Sequence, residues 1–569
     1  MLSLLHSNYT PCARRPGWTV LLLRMALLML AAWLIWGNAW VSDDAAITLR
    51  TVLNLLTGHG ARFNIDERVQ AYTHPLWFGL LTLGTAIAGN AYLVAVWLGI
   101  VLSVTVLGWL LWLAVSPWQG LLAAGALLAS MAFIQFSTSG LENPLSHLLI
   151  LAAATALIRI HDEQTPKPDR ARWLRIFFLS AGLLYLSRPD LVLLLAPCAL
   201  QLLIARSITV RTRILALLWA VVPVLIWTAF SLLYYGLPFP NTAYAKLGTG
   251  IKEHALFRQG RHYFSNILVS DSFTGFIRSS SDSYKFQHLD RGLSDPLTLV
   301  VSALALPLAP WVRRWGWGWA LGVVLYLIYV ASIGGDFMAG RFFTAPMLAG
   351  AIALARACLP LPRVILPLTL GLLTLAVPAL AWKNIHTTIY TANEKRLPVN
   401  YAFDPYLIAD ERSFYFEHYS LATITTPDLA LFRPDNYRAR QTSTINITCG
   451  GLGYGSIRGG PGLHSIDTCA LADPLLAHLP IDPAPPFPIR TGDIPNPPGE
   501  PIWRIGHFTR AVPPGYQESI AQDANLLTDP ALRACYERIR RITRAPLLNR
   551  QRLRDIVHVN LHGAGCHAP

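Results

Sequence analysis

Two adjacent carboxylates, Asp43 and Asp44, follow the first long apolar run and open the stretch VSDDAAITLRTVLNLLTGHGARFNIDERVQAYTHPLW, Val41–Trp77. A carboxylate just outside a membrane can take the proton from an incoming hydroxyl. The same pair can instead sit at the positive end of a helix and cap the amphipathic segment 45–57. Other polar groups recur at the margins of apolar runs: His74 in YTHPLW, Glu142 in SGLE, Arg188 and Asp190 in SRPD. Asn241, Tyr244 and Lys246 stand in YGLPFPNTAYAK, and Asp336 and Arg341 in GGDFMAGRFF. Ordinary structural readings exist for each. An acid or Pro suits a helix start, an interfacial Lys snorkels, and Asp336 with Arg341 can brace its own loop. Ionisable groups at the ends of spanning helices are nevertheless costly unless used. A Lys ammonium or an Arg fork is the natural partner of a phosphate at headgroup depth.

The elements that must position these groups are membrane helices. The 569 residues are 53% hydrophobic and 14% charged, with mean hydropathy +0.40, which excludes a soluble globule. Apolar runs of about 15–25 residues recur between Val20 and Trp382. Beyond them Pro, Asp, Arg and His become common. This predicts a membrane domain over 1–383 and a soluble mixed α/β domain over 384–569. The net charge of +14 does not indicate nucleic acid. Much of the Arg lies in short loops between apolar runs, and the rest lacks a basic-aromatic pattern. The N-terminus carries Arg14, Arg15 and Arg24 without a small-residue cleavage site and reads as a retained first helix.

Arg clusters at 14–24, 159–175, 206–213, 313–314 and 356–363 mark the inside. Between the later clusters the apolar runs come in pairs, and one last run, 364–382, leads out. Four runs (75–88, 91–114, 119–136 and 142–158) join an outside loop to an inside one, so an odd number must cross. Run 75–88 is the shortest and reads as an interfacial helix. The expectation is 11 crossings plus that helix, with the N-terminus inside and the C-terminal domain outside. Parity then sends Glu142, Arg188–Asp190, the loop 235–295 and the loop 334–343 to the same face as Asp43 and Asp44. Cys449, Cys469, Cys535 and Cys566 form an even set in the outside domain, where disulfides persist. Of three connectivities, nearest-neighbour pairing is the simplest. Cys12, Cys198 and Cys358 read as structural.

Taken in order, DDA-I-R, G-H-G-A-R-F-N, E-R-V-Q-A-Y-T-H-P-L-W, Glu142, R-P-D, YG…PNT…K and GGDF…GRF resemble the GT-C glycosyltransferases. The resemblance is greatest to the bacterial terminal arabinofuranosyltransferases, which use a polyprenyl-phosphate sugar donor. It continues into Gly462–Pro480, Trp503–Arg510 and Pro514–Tyr516, read as structural or acceptor-binding parts. The resemblance implies an inverting transfer of a pentofuranosyl group to an envelope glycan or glycoprotein, on the periplasmic side of a bacterial inner membrane. Asp43 or Asp44 would be the base, and Lys246 with Arg188 or Arg341 would meet the donor phosphate. His74, Glu142, Asp190, Asn241, Tyr244 and Asp336 would contact substrate. A divalent ion at Asp43 and Asp44 is left open, and no nucleotide-binding signature is visible. Rival readings are transfer of another lipid-phosphate sugar such as mannose, and a lipid-linked sugar transporter. The transporter should show internal repeats and midplane charges or broken helices, and the sequence shows neither.

Overall fold

The computed structural model describes residues 17–268, 295–312, 314–358, 406–440, 443–482 and 503–566, with the backbone of short strands at 273–278, 284–289 and 399–400. The expected run 364–382, Cys12, Arg313 and most of the Pro-rich segment 481–500 lie outside the described residues. In chain order the membrane part holds α1 (Trp18–Gly37), α2 (Asp43–Leu56), α3 (Pro75–Ala88), α4 (Ala91–Leu113), α5 (Pro117–Leu128) and α6 (Met131–Gln135). There follow α7 (Asn143–His161), α8 (Lys167–Ser187), α9 (Val192–Ile204), α10 (Val210–Tyr234), α11 (Asn241–Lys246) and α12 (Glu253–Leu268). Strands β1 (Phe273–Arg278) and β2 (Tyr284–Leu289) precede α13 (Pro296–Ala303), α14 (Ala305–Leu308), α15 (Gly316–Ser332) and α16 (Thr344–Arg356).

Every apolar run within the described residues is helical, yet only α1, α4, α7 and α10 are individually long and apolar enough to cross a membrane. The expectation of uniform crossings therefore meets broken helices. Run 119–136 divides into α5 and α6 at Ser130, whose hydroxyl leaves the helix to accept from the Phe133 amide at 3.0 Å. Residues 296–312 divide into α13, α14 and a turn of 3-10 helix. The exterior of the bundle is apolar, with Met29, Ile87, Val101 and Ile226 exposed, as a lipid-facing surface requires. The chain is a multi-pass membrane protein.

Helix ends sort into two levels. At one, the Val115 amide donates to Ala355 O (2.9 Å) and Arg356 Nη1 to Leu113 O (2.8 Å). At the other, Trp40 Nε1 donates to Gln135 O (2.8 Å), Trp77 Nε1 to Gly140 O (2.9 Å) and the Ser42 amide to Ser139 O (2.9 Å). Helix α3 starts and finishes at this second level. His74 at its start lies beside Glu142, and just past its end Ala91 donates to Phe432 O at 3.0 Å.

The C-terminal part sits on that level. It contains β3 (Val399–Asn400), α17 (Glu411–Tyr419), α18 (Thr426–Ala430), α19 (Pro434–Arg438), β4 (Thr444–Thr448), α20 (Leu452–Gly459) and β5 (Leu463–Asp467). Helices α21 (Tyr516–Ala521), α22 (Pro530–Arg544) and α23 (Arg550–His562) close it. Strands β4 and β5 pair in parallel, while β1 pairs antiparallel with both β2 and β3. Tyr415, Phe432, Tyr437, Tyr454 and Ile457 are buried in the same apolar core as the membrane helices. Tyr92 donates to Tyr419 O and Tyr437 to Asn54 Oδ1, both at 2.9 Å. Disulfides join Cys449 to Cys469 and Cys535 to Cys566.

Asn241 fastens the loop after α10 to this part. Its buried amide donates to Ala470 O (2.8 Å) and Asp473 O (3.0 Å). Asn241→Ala leaves the Ala470 carbonyl without this donor, at a cost of about 1–3 kcal/mol, while Asp473 O keeps the Ala477 amide. The thermal midpoint of the purified protein in detergent should fall. An unchanged midpoint would show the clip to be dispensable.

Candidate active site

The two adjacent acids face different neighbours. Ser42 caps α2, accepting from the Ala45 amide at 3.1 Å, and the acids occupy the first turn behind it. Asp43 is buried and accepts from the Gly453 and Tyr454 amides at 3.0 and 2.8 Å. Gly453 permits this approach, since a Cβ there would stand 2.2 Å from the Asp43 carbonyl oxygen. Burial pushes the Asp43 carboxyl up to about 6 even though the two amides favour its charged form. Asp44 is half-buried and, among the described residues, accepts no hydrogen bond. It adds negative potential at His74, Asp336, Arg341 and Glu411.

Glu142, at the N-terminus of α7, is the hub of the cluster. Its Oε1 lies 3.2 Å from Arg341 Nη2 and 3.7 Å from Arg188 Nε, and its Oε2 lies 3.3 Å from His74 Nδ1. Burial pushes the Glu142 carboxyl up, but Arg341, His74 and Arg188 outweigh it and bring it down to about 2. Burial lowers His74, more than Glu142 raises it. The His74 ring is held between two hydroxyls, with Nε2 2.9 Å from Thr48 Oγ1 and Nδ1 3.2 Å from Thr73 Oγ1. Arg188 also forks onto Asp190, with Nη2 at 2.6 Å and Nε at 3.3 Å, and stacks over Phe342 with 4.6 Å to the ring centroid.

Asp336 and Arg341, expected as a pair, are only loosely joined at 3.7 Å. Asp336 Oδ1 instead accepts from the Phe337 amide at 2.9 Å. Burial raises the Asp336 carboxyl more than Arg341 and Lys246 lower it. Glycine is required at 335, where φ is +77° and a Cβ would meet the Tyr263 ring at 2.4 Å. The exposed Lys246 at the end of α11 reaches back over Gly506, so that a Cβ there would stand 3.1 Å from Nζ. Among the described residues its ammonium makes no ion pair or hydrogen bond. It nevertheless adds positive potential at Asp336 and His507.

Three residues outside the expected set complete the surroundings. Arg504 pairs with Glu411 at 2.9 Å, both almost fully buried, and lies over the Phe337 ring at 4.6 Å. His507 also meets the Phe337 ring, edge-on with ring centroids 4.2 Å apart. Burial raises Glu411 to about 8, and burial together with Arg504 and Lys246 holds His507 neutral. Arg504 and His507 stand in the WRIGHFTR phrase, and their presence in an otherwise mixed phrase was the available signal. Glu411 carries none.

Other expected contacts lie elsewhere. Asn241 is the clip described above, and Tyr244 packs beside His478 with ring centroids 5.3 Å apart. Neither reaches the Glu142 cluster, because the loop after α10 turns its side chains onto the C-terminal part. Asp467 and Asp473 accept backbone amides of their own turns. Asn64, which ends the G-H-G-A-R-F-N phrase, donates to Ser465 O at 3.1 Å, and Asp66 just after it pairs with His464 at 2.9 Å, so this loop also holds the C-terminal part. Among the described residues no three His, Cys, Asp or Glu are placed to hold a metal ion. Both Asp43 oxygens accept amide hydrogen bonds, whereas Asp44 accepts none among the described residues.

Removing the hub charge tests the cluster. Glu142→Gln leaves two buried guanidinium groups short of a partner and should cost about 3–5 kcal/mol. Because folding lowers the Glu142 carboxyl to about 2, its stabilisation is complete above the unfolded value of roughly 4.3 and is lost as pH falls toward 2. The gap in thermal midpoint between the native protein and Glu142→Gln should therefore be widest at neutral pH and narrow below pH 4. A gap independent of pH would refute the charge assignment.

Residues 73–229 match a family described as dolichyl-phosphate-mannose-protein mannosyltransferase. Over 343 residues the chain is 31% identical to the terminal beta-(1->2)-arabinofuranosyltransferase of Mycobacterium tuberculosis, covering 57% of this chain and 53% of that one. The protein of the same name from Corynebacterium glutamicum is 29% identical over 371 residues, covering 59% and 51%. The chain thus spans about half the length of the curated relatives it matches. Among solved structures, ArnT from Cupriavidus metallidurans bound to undecaprenyl phosphate aligns with a TM-score of 0.44 at 12% identity, over 82% of this chain and 78% of that one. The oligosaccharyltransferase of Archaeoglobus fulgidus gives 0.42 at 13% identity, over 78% and 64%. In sequence the chain is therefore similar to the terminal arabinofuranosyltransferases and, over residues 73–229, to the dolichyl-phosphate-mannose-protein mannosyltransferase family.

Proposed function

We propose that the protein is an inverting glycosyltransferase that moves an arabinofuranosyl group from a polyprenyl monophosphate to an acceptor hydroxyl on an envelope glycan or glycoprotein. The observation that carries this reading is that an acid, Asp44, and a cation, Lys246, neither with a hydrogen bond or ion pair among the described residues, both act electrostatically on Asp336 beside the buried Glu142 cluster. In the reaction the acceptor oxygen bonds to the anomeric carbon as the bond from that carbon to the phosphate oxygen breaks. Asp44 takes the hydroxyl proton, and the phosphate leaves with the electron pair. Lys246 stabilises the charge growing on that phosphate. Asp43 serves as a positioning residue, since its oxygens hold α20. Arg188 and Arg341 fix the acids around them.

The Arg clusters mark the level away from this site as cytoplasmic, so the site faces the periplasm. The reading keeps a membrane domain over 1–383 and a periplasmic part over 384–569. The names of both curated relatives favour arabinofuranosyl over mannosyl transfer.

With polyprenyl-phosphate arabinofuranose and an arabinan oligomer, Asp44→Asn should lower kcat by about 10²–10⁴-fold with an unchanged thermal midpoint. Asp43→Asn keeps an acceptor for one of the two α20 amides and should lose far less turnover. Native turnover in Asp44→Asn would sink the base assignment. Lys246→Ala should raise the donor KM and lower kcat/KM roughly ten- to a hundred-fold, for ~1.4–2.8 kcal/mol of charge-assisted contact. Acceptor KM should change little, and Lys246→Arg should recover part of the loss. Normal donor kinetics in Lys246→Ala would move the phosphate to Arg341 or Arg188.

A further inference from the structure

Helix α23 has a face that no group among the described residues covers. Its inner side is fixed to the corner where α10 ends. Buried Arg552 donates to Leu233 O (2.9 Å) and Tyr234 O (3.0 Å), the last carbonyls of α10. Asn560 donates to Gly236 O at 2.9 Å, just beyond that helix. Eight residues of helix, about 12 Å, separate the two attachments, so α23 lies across the end of α10. Helix α10 is itself the most lipid-exposed of the long apolar helices, with 11% of its apolar window buried. Ile226 and Leu233 remain exposed along its last turns.

The outer side of α23 is patterned. Leu553, Val557 and Leu561 recur four residues apart and are 38%, 58% and 72% exposed, and Leu548 just before the helix is 75% exposed. Arg550 and Arg554 recur at the same spacing beside this stripe. Both are exposed and, among the described residues, neither side chain makes a hydrogen bond or ion pair. An apolar arc flanked by a basic arc is the pattern of a helix lying in a membrane interface. Because Arg552 and Asn560 hold α23 at the end of a lipid-facing helix, the stripe stands near the height where acyl chains give way to headgroups.

We propose that α23 is an interfacial anchor, with Leu553, Val557 and Leu561 in the acyl boundary and Arg550 and Arg554 against anionic headgroup phosphates. The anchor ties the C-terminal part to the bilayer at a point remote in sequence from the membrane helices. It rests on the multi-pass reading and is independent of the sugar transferred.

The test uses the full chain in nanodiscs of phosphatidylethanolamine and phosphatidylglycerol, in a Cys12→Ser, Cys198→Ala, Cys358→Ser background. A nitroxide is attached singly through Val557→Cys, Leu561→Cys or Gln551→Cys. Power saturation then compares collisions with oxygen and with a water-soluble nickel chelate. Labels at 557 and 561 should collide more with oxygen, and the label at 551 more with nickel. In discs of phosphatidylcholine alone the label at 557 should move toward water, and Arg550→Gln with Arg554→Gln should abolish that lipid difference. Nickel access at 557 equal to that at 551 overturns the proposal. So does exclusion of both reagents in particles that light scattering finds to be dimers, since a second copy would then cover the face. Equal depth in the two lipids overturns the role of the arginines.

Discussion

Glu142 is buried where four separated stretches of chain meet, and the site depends on keeping its charge. His74 comes from the entry to α3, Glu142 from the start of α7, Arg188 from the end of α8, and Arg341 from the loop before α16. A lone buried carboxylate would take a proton rather than bear the cost of desolvation. Two guanidinium groups and an imidazole reverse that balance, and each in turn needs Glu142. The ends of the helices are thus locked at one height before any substrate arrives. Groups aimed at developing charge then need little reorganisation when bonds change.

The same economy separates neighbours that the sequence presents as equals. Asp43 and Asp44 are adjacent on α2, about 100° apart around its axis. One is turned onto the α20 amides and the other toward the cluster. A helix that offered both acids to substrate would leave α20 without its anchor. Tyr454, whose amide holds Asp43, also stacks on Tyr419 with ring centroids 3.7 Å apart and donates to Val41 O at 2.9 Å. The C-terminal part therefore shapes the first loop as much as the membrane helices do.

What could be read from the sequence follows from where charge is expensive. Apolar runs must be helical in lipid, and the polar phrases between them had to gather at helix ends. That brought Asp44, His74, Glu142, Arg188, Asp190, Asp336 and Arg341 to one place without any coordinates. The contacts of Asn241 and Tyr244 were not legible in this way. Their partners, Ala470, Asp473 and His478, lie more than two hundred residues away in a part with no apolar periodicity to fix its placement. Glu411 and Arg504 are a buried pair 93 residues apart, and local pattern says nothing of such pairs. The divisions of runs 119–136 and 296–312 were hidden too. A serine or proline in an apolar run is compatible with a continuous helix until neighbouring helices satisfy the freed backbone groups.

In the proposed reaction the cations around the site are not equivalent partners for a donor phosphate. Arg188 is held by two contacts to Asp190, one at 2.6 Å, and by Tyr326 at 3.2 Å, so a phosphate would have to displace a charge-assisted fork. Arg341 is held less completely. It faces Glu142 at 3.2 Å but stands 3.7 Å from Asp336, and its buried Nε donates to nothing in the described structure. A phosphate oxygen arriving there would satisfy an orphaned donor rather than compete for an occupied one. Lys246 needs no displacement at all, and its stem passes over a glycine that offers no side chain in its way. The order of recruitment is then Lys246, Arg341 and last Arg188. That order also explains why an exposed lysine belongs in a site otherwise built from buried arginines. The arginines must hold the acids in place throughout the cycle, whereas the phosphate partner must release its ligand once the spent polyprenyl phosphate leaves.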